Sequence, residues 1–181
     1  MALLARYKWL LFALAVMGAA SGGLLLGKSK EKEYLASLYR RSDFTLLTDQ
    51  GDFFTLSALP AKSLALLVFT PDGIPVSAVR PFHEFAGHLS DLRKIGIETF
   101  LVSRTNREIV RNFKTASRFE APLLLDTGGT VGRNTGIWEG LAPANYWGYA
   151  LVNHAYEIFW VERSQVPLDF EELSKTLREL R

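Results

Sequence analysis

The sequence predicts one α/β domain with a mixed sheet and helices on both faces, preceded by one transmembrane helix. Three observations predict this fold class. Strand and helix patterns alternate along residues 42–163. The strand–helix–strand connections are short, which requires right-handed crossovers between parallel strands. The last two strand patterns are joined by a short turn, as in an antiparallel hairpin.

The N-terminal segment is expected to span a membrane. Residues 9–27 carry no charge, and a helix of this length is about 28 Å long, close to the roughly 30 Å of a bilayer's hydrocarbon core. Residues 1–8 form a short tail before it. Residues 28–41 are charged at first and then amphipathic, which predicts a linker helix before the domain at 42–181.

A cleaved signal peptide is the alternative interpretation of this segment. It would use Arg6 and Lys8 as its basic region and Gly18-Ala19-Ala20 as its cleavage site. The second apolar run, which ends at Gly27, favours a single-pass anchor. Anchors this close to the N-terminus usually export the following domain, so we expect it on the periplasmic or other extracytoplasmic side.

Four glycines in the predicted span form two pairs with a spacing of four residues: Gly18 with Gly22, and Gly23 with Gly27. Such pairs allow helices to approach closely in lipid, so they predict contact with another membrane protein. The alternative is that glycine is simply common in membrane helices.

The elements of the domain follow from local patterns. Residues 44–48 and 53–56 flank a turn and predict a hairpin, and the apolar run 63–69 predicts a buried central strand. Helical periodicity at 77–95 precedes a strand at 97–102. The remaining predictions are a helix at 106–117, a strand at 121–125, a short helix or turn at 128–134, a hairpin of 149–153 with 157–161, and a helix at 168–180.

Several phrases, in this order, resemble the redoxin branch of the thioredoxin superfamily, which includes peroxiredoxins, TlpA-like proteins and Sco-type copper chaperones. They are Phe44-Thr45-Leu46, Leu66-Leu67-Val68-Phe69-Thr70-Pro71, Ala121-Pro122-Leu123-Leu124-Leu125-Asp126 and Ala150-Leu151-Val152-Asn153. The resemblance covers residues 42–163 and implies a thioredoxin-like fold.

The resemblance also implies where the reactive cysteine of these families would lie, and the chain has no cysteine at all. The corresponding loop is degenerate and contains Thr70, Pro71, Asp72, Pro75 and Ser77, with Ser77 at or near the peroxidatic position. The arginine that lowers the thiol pKa in peroxiredoxins is missing from 145–148. Because a thiolate is the nucleophile in thiol chemistry, we expect a redox-inert protein that is not an enzyme and has no cofactor.

Other sites have weaker support in the sequence. His83 and His88 are five residues apart, about 140° around a helix, which is unsuitable for binding one metal ion, so no metal site is predicted. Ser77 with Asp72 has no histidine nearby in sequence to complete a nucleophile. Residues 128–132 lack the Gly-Lys-Ser/Thr ending of a phosphate loop. A net charge of +2 without a basic stripe argues against a nucleic-acid partner.

The connection at 137–147 is rich in aromatic residues, which are common anchors at protein interfaces. If exposed, it would form a partner-docking surface of Ile137, Trp138, Leu141, Tyr146 and Trp147. The alternative is that these rings fold back over the end of the sheet that carries the degenerate loop.

These observations predict a membrane-anchored, redox-inert thioredoxin-like subunit with a structural or assembly role. Its partners would be subunits of an integral membrane complex, by analogy one of respiratory or photosynthetic electron transfer, and the bilayer through residues 9–27. One alternative is a non-thiol enzyme or a carrier of a small ligand or metal that uses residues 70–77. Another is a secreted domain released by signal cleavage.

Overall fold

The computed structural model describes residues 43–140 and 143–179. Seven strands form one sheet in the order β2-β1-β5-β4-β3-β6-β7. The strands are β1 (Thr45–Thr48), β2 (Phe53–Thr55), β3 (Leu64–Phe69), β4 (Ile97–Ser103), β5 (Leu123–Leu125), β6 (Trp147–Asn153) and β7 (Ile158–Ser164).

The sheet is mixed, as predicted. β3 pairs parallel to β4 and antiparallel to β6, and β4 pairs parallel to β5. β1 is antiparallel to both β2 and β5, and β7 is antiparallel to β6. The apolar run at 63–69 therefore forms a central strand, and all of β3 except Leu64 is buried.

The helices are distributed unequally over the two faces of the sheet. Apolar residues of four helices pack in one core cluster with Leu66 and Val68 of β3. The opposite face, with Leu67 and Phe69, is covered by one short helix, a 3₁₀ turn and buried rings. The helices are α1 (Val79–Ala86), α2 (Leu89–Lys94), α3 (Arg107–Ser117), α4 (Thr130–Asn134) and α5 (Phe170–Glu179), with 3₁₀ turns at Leu56–Ala58 and Val76–Ala78.

The predicted continuous helix at 77–95 is wrong in detail. It begins as a 3₁₀ turn after Pro75 and is interrupted between α1 and α2 at Gly87 and His88. Gly87 keeps right-handed dihedrals, but glycine is a poor helix former because it loses more backbone entropy on folding than other residues. The His88 ring stacks on Phe170 of α5, with 3.8 Å between ring centroids, so the interruption brings α2 and α5 into contact.

The sequence predicts a membrane span near the N-terminus. The tail (1–8), the span (9–27), the linker (28–41) and Leu141 all lie outside the described residues. Across 43–140 and 143–179, the helices are too short or too polar to cross a bilayer.

Candidate functional site

The degenerate loop lies at the carboxyl end of the parallel strands, where α/β proteins usually place their ligands. Thr70 follows β3 and is buried, as is Ser103 at the end of β4. The Thr70 hydroxyl donates a hydrogen bond to Ser103 Oγ at 2.7 Å, and the Thr105 N–H donates to the same oxygen at 3.1 Å. One buried hydrogen bond between side chains, from Thr70 to Ser103, therefore joins the two strand ends.

An ion pair between Asp72 and Arg104 also stabilises the loop. Arg104 donates from Nε to Oδ1 of Asp72 at 2.8 Å and from Nη2 to Oδ2 at 2.7 Å. Such bidentate, charge-assisted hydrogen bonds are among the strongest in proteins. The arginine side chain is only 11% exposed and the aspartate 30%, so solvent screens this pair less than a surface pair.

Backbone hydrogen bonds complete the arrangement around Asp72. The Ala144 N–H donates to Asp72 Oδ2, and the Asp72 N–H donates to the Ala144 carbonyl, each at 2.8 Å. The Thr105 hydroxyl donates to the Asp72 carbonyl at 3.1 Å. Asp72 thus connects the loop after β3, the start of the loop after β4 and the segment before β6.

This geometry explains the charge state of the pair. The hydrogen bond from Arg104 lowers the pKa of Asp72, and the Ala144 amide contributes in the same direction against partial burial. The Asp72 hydrogen bond raises the pKa of Arg104. The Arg104 guanidinium also lies 4.8 Å from the centroid of the Trp138 ring, a favourable cation–π contact. Both groups are therefore charged at neutral pH.

Ser77, at the predicted peroxidatic position, is exposed in the 3₁₀ turn, next to Val76, which is 88% exposed. Its hydroxyl has no hydrogen-bond partner within the described ranges. An activated serine needs a base within hydrogen-bond distance. Pro71 is buried and Pro75 is exposed. The predicted site residues therefore lie in one loop at different depths, but they do not combine into a nucleophile with a neighbouring base.

The predicted docking surface is not supported. Ile137, Trp138 and Trp147 are buried, each at most 3% exposed, so they cannot provide the surface of a partner site. Tyr146 is half-buried, and its hydroxyl donates to the Ile137 carbonyl at 2.7 Å. Leu141 lies outside the described residues.

The alternative, in which the rings fold back onto the sheet, agrees with the contacts. Trp138 packs edge-on against Phe69 at the end of β3, with ring centroids 5.4 Å apart. Trp147 packs on the other face against Phe82 of α1 at 4.6 Å and Phe113 at 5.8 Å. Burial of large aromatic surface accounts for this arrangement, because both rings pack against buried aromatic side chains of the core.

Two residues of this region were not singled out from the sequence. Arg104 follows β4, and the signal that points to it is its position as a charged residue directly after a buried strand. Asp126 follows β5, is buried, and accepts the N–H groups of Thr130 and Gly132, each at 2.9 Å. Burial raises the pKa of Asp126, against these hydrogen bonds. Both lie at the carboxyl ends of adjacent strands.

Metal binding by this region has no support in the described ranges, where no group of three or more histidine, aspartate and glutamate residues is placed to hold an ion.

The sheet order, the parallel crossovers and the loop after the central strand define the chain as a thioredoxin-like α/β protein. The chain belongs to the AhpC/TSA family, whose sequence model matches residues 40–158. No curated protein sequence matches it significantly.

Solved structures of similar fold are peroxiredoxins. They include peroxidoxin BcpB from Mycobacterium tuberculosis, with 23% identity over 77% of this chain and 94% of that one and a TM-score of 0.65. AhpC from Enterococcus faecalis has 19% identity over 77% and 89%, with a TM-score of 0.64. A cysteine-to-serine mutant of PrxQ from Xylella fastidiosa has 21% identity over 75% and 88%, with a TM-score of 0.61.

The comparisons correct one prediction. The sequence predicted that the chain is not an enzyme, and its family and structural relatives contradict this, because they are peroxiredoxins, a class of peroxidases. The absence of cysteine from the chain does not outweigh that membership.

Proposed function

We propose that this AhpC/TSA-family chain is a membrane-anchored subunit that uses its thioredoxin-like domain for structure or assembly in a larger membrane complex. One observation carries the proposal. The loop in which redoxins hold their reactive sulfur contains no cysteine and is fastened by Asp72, Arg104 and the Ala144 backbone.

The fastened loop suits a structural role. A peroxidatic loop presents a nucleophile to substrate, and a nucleophile needs a neighbouring base or cation that activates it. Arg104, the cation that contacts this loop at Asp72, is held in an ion pair there, and its guanidinium lies over the Trp138 ring. These contacts favour one rigid arrangement of the loop, which is what a stable contact with another subunit requires. The proposed role therefore makes no use of thiol turnover.

The proposed anchor supplies the membrane part of this role. Residues 9–27 have the length and apolarity of a transmembrane helix, and we propose that the domain lies on the extracytoplasmic side. The two glycine pairs support lateral contact with another membrane-spanning subunit. An electron-transfer complex as the host rests on analogy with thiol redoxins alone.

Substitution of the four glycines tests the proposal. Gly18, Gly22, Gly23 and Gly27 are replaced together by leucine, and in a matched variant by alanine. Leucine keeps the segment apolar but prevents close approach of helices, whereas alanine keeps it small. Membranes from cells with each variant are solubilised in a mild detergent and separated by native electrophoresis.

We expect the wild-type and alanine chains in a band far larger than a 20.3 kDa monomer with its detergent, and the leucine chain in the monomer band. Migration of the wild-type chain only as a monomer would contradict the assembly role. A large band that persists in the leucine variant would place the contact outside the glycine pairs.

A further inference from the structure

Arg163 lies on the edge strand β7 and contacts the segment before β6 at two places. At the first place its guanidinium donates hydrogen bonds to the Glu139 carboxylate and to the Gly136 carbonyl. At the second it lies 5.5 Å from the centroid of the Tyr146 ring, a favourable cation–π contact. An exposed ion pair alone contributes little to stability, but here one side chain binds a carboxylate, a backbone carbonyl and a ring together.

The first contact lies next to the residue that packs on Arg104. Glu139 directly follows Trp138, whose ring centroid is 4.8 Å from the Arg104 guanidinium. The Trp138 ring is buried and lies so close to α4 that a Cβ atom on Gly132 would overlap it. The backbone that Arg163 binds therefore determines where this ring meets Arg104.

The second contact lies next to the residue that binds Asp72. Tyr146 is two residues after Ala144, whose N–H donates to the Asp72 carboxylate and whose carbonyl accepts from the Asp72 N–H, each at 2.8 Å. The Tyr146 hydroxyl donates to the Ile137 carbonyl at 2.7 Å, which connects the two places. Both partners of the ion pair in the degenerate loop thus contact backbone or rings that Arg163 holds.

We infer that Arg163 is a positioning residue for the Asp72–Arg104 pair, which couples the edge strand β7 to the degenerate loop. The inference rests on the structural role proposed for the loop and adds a way to regulate it, because a contact that withdraws Arg163 from Glu139 loosens the loop. The Arg163 side chain is 37% exposed, so another subunit can reach it. Residues in one hydrogen-bond network are usually coupled in stability, whereas residues more than about 10 Å apart without shared partners are not.

A double-mutant cycle tests the inference. Asp72→Asn is made in the wild-type chain and in the Arg163→Gln chain, and urea unfolding of each full chain in mild detergent is measured at pH 7 and pH 3. At pH 7 we expect Asp72→Asn to raise the unfolding equilibrium constant about fivefold less in the Arg163→Gln chain than in the wild type. As pH falls and Asp72 becomes protonated, the two effects should converge. A general structural role of Arg163 would leave them equal at both pH values.

Two further variants act as controls. Glu139→Gln removes the same ion pair from its other partner and is expected to reduce the effect of Asp72→Asn in the same direction. Arg93→Gln is the matched control, because Arg93 also forms a surface ion pair, with Glu98 at 3.2 Å, but at the start of β4 and so at the opposite end of the sheet from the loop. In that chain Asp72→Asn should have its full effect.

The inference is wrong if Asp72→Asn has its full effect in the Arg163→Gln chain, if the reduction does not vary with pH, or if Arg93→Gln reduces the effect as much. The cycle does not involve the proposed membrane segment. A negative result here would therefore leave the glycine test of assembly unaffected, and a failure of that test would leave the coupling unaffected.

Discussion

Asp72 is the residue on which the shape of the degenerate loop depends most. Its carboxylate accepts three hydrogen bonds, two from Arg104 and one from the Ala144 amide. Each partner comes from a different part of the chain, 32 and 72 residues away. A single side chain therefore holds together segments that local structure does not connect.

The pH dependence of stability should reveal this role. Because Arg104 lowers the pKa of Asp72 in the folded protein, the charged carboxylate stabilises the fold above its unfolded pKa of about 3.9. That stabilisation is lost as pH falls from about 5 through the lower folded pKa. Burial raises the pKa of Asp126, so its ionisation changes stability with pH in the direction opposite to that of Asp72. Asp126 is present in both the wild type and the Asp72→Asn variant, so its contribution cancels when their stabilities are subtracted.

We expect Asp72→Asn to lower the free energy of unfolding by about 2–3 kcal/mol at pH 7, with a smaller difference from wild type as pH falls below 4. Urea unfolding of the full chain in mild detergent, followed from pH 7 to pH 3, measures this difference. Asp52→Asn, at an exposed hairpin position, is the control and should change stability by less than about 0.5 kcal/mol. A difference from wild type that does not vary with pH would contradict the role of the ion pair.

At the scale of elements, the short helix α4 is positioned by close packing against Trp138. A Cβ atom on Gly132 would overlap the Trp138 ring, so only glycine fits there. A Cβ atom on Gly148 of β6 would likewise overlap Ile137. The two glycines let the buried segment before β6 lie directly on the sheet and on α4.

Gly132→Ala is expected to destabilise the fold by about 1–3 kcal/mol or more, because the added methyl group overpacks the core. Gly128→Ala is the matched control, since its Cβ atom would meet only Thr130 Oγ1 at 3.6 Å, an ordinary contact. Thermal unfolding of both variants, monitored by tryptophan fluorescence, makes the comparison. Equal Tm values for Gly132→Ala and Gly128→Ala would contradict this expectation, because they would show that the Trp138 ring moves aside without loss of stability.

The sequence predicted the helices and strands better than the contacts between the loops that follow them. The apolar run at 63–69 and the periodicity at 106–117 predicted β3 and α3, because each pattern is local. The Asp72–Arg104 pair was missed because it depends on how the crossover between β3 and β4 places two loops. The burial of Trp138 and Trp147 was left open because an aromatic residue in a connection has no periodicity that shows which way it faces.

At the scale of the whole molecule, the domain keeps the architecture of a peroxiredoxin relative without any sulfur in its loop. A solved PrxQ relative also lacks one of its cysteines, as a serine mutant, and has a similar fold. The fold is held by its two apolar clusters and by the strand pairing.

The central proposal is that the Asp72–Arg104 pair holds this loop in one arrangement, in which Arg104 does not lower the pKa of a thiol at position 77. Ser77→Cys tests it most directly, because the variant would carry the only thiol in the chain. Ala116→Cys, at an exposed position of α3, is the matched control. The measurement is the thiol pKa from thiolate absorbance, together with the rate of reaction with a hydroperoxide.

Since Arg104 is already paired with Asp72, we expect Ser77→Cys to have an ordinary thiol pKa of about 8.5 and to react with hydroperoxide no faster than Ala116→Cys. A thiol pKa well below 7, with rapid reduction of the hydroperoxide, would show that the loop still activates a nucleophile and would contradict the account.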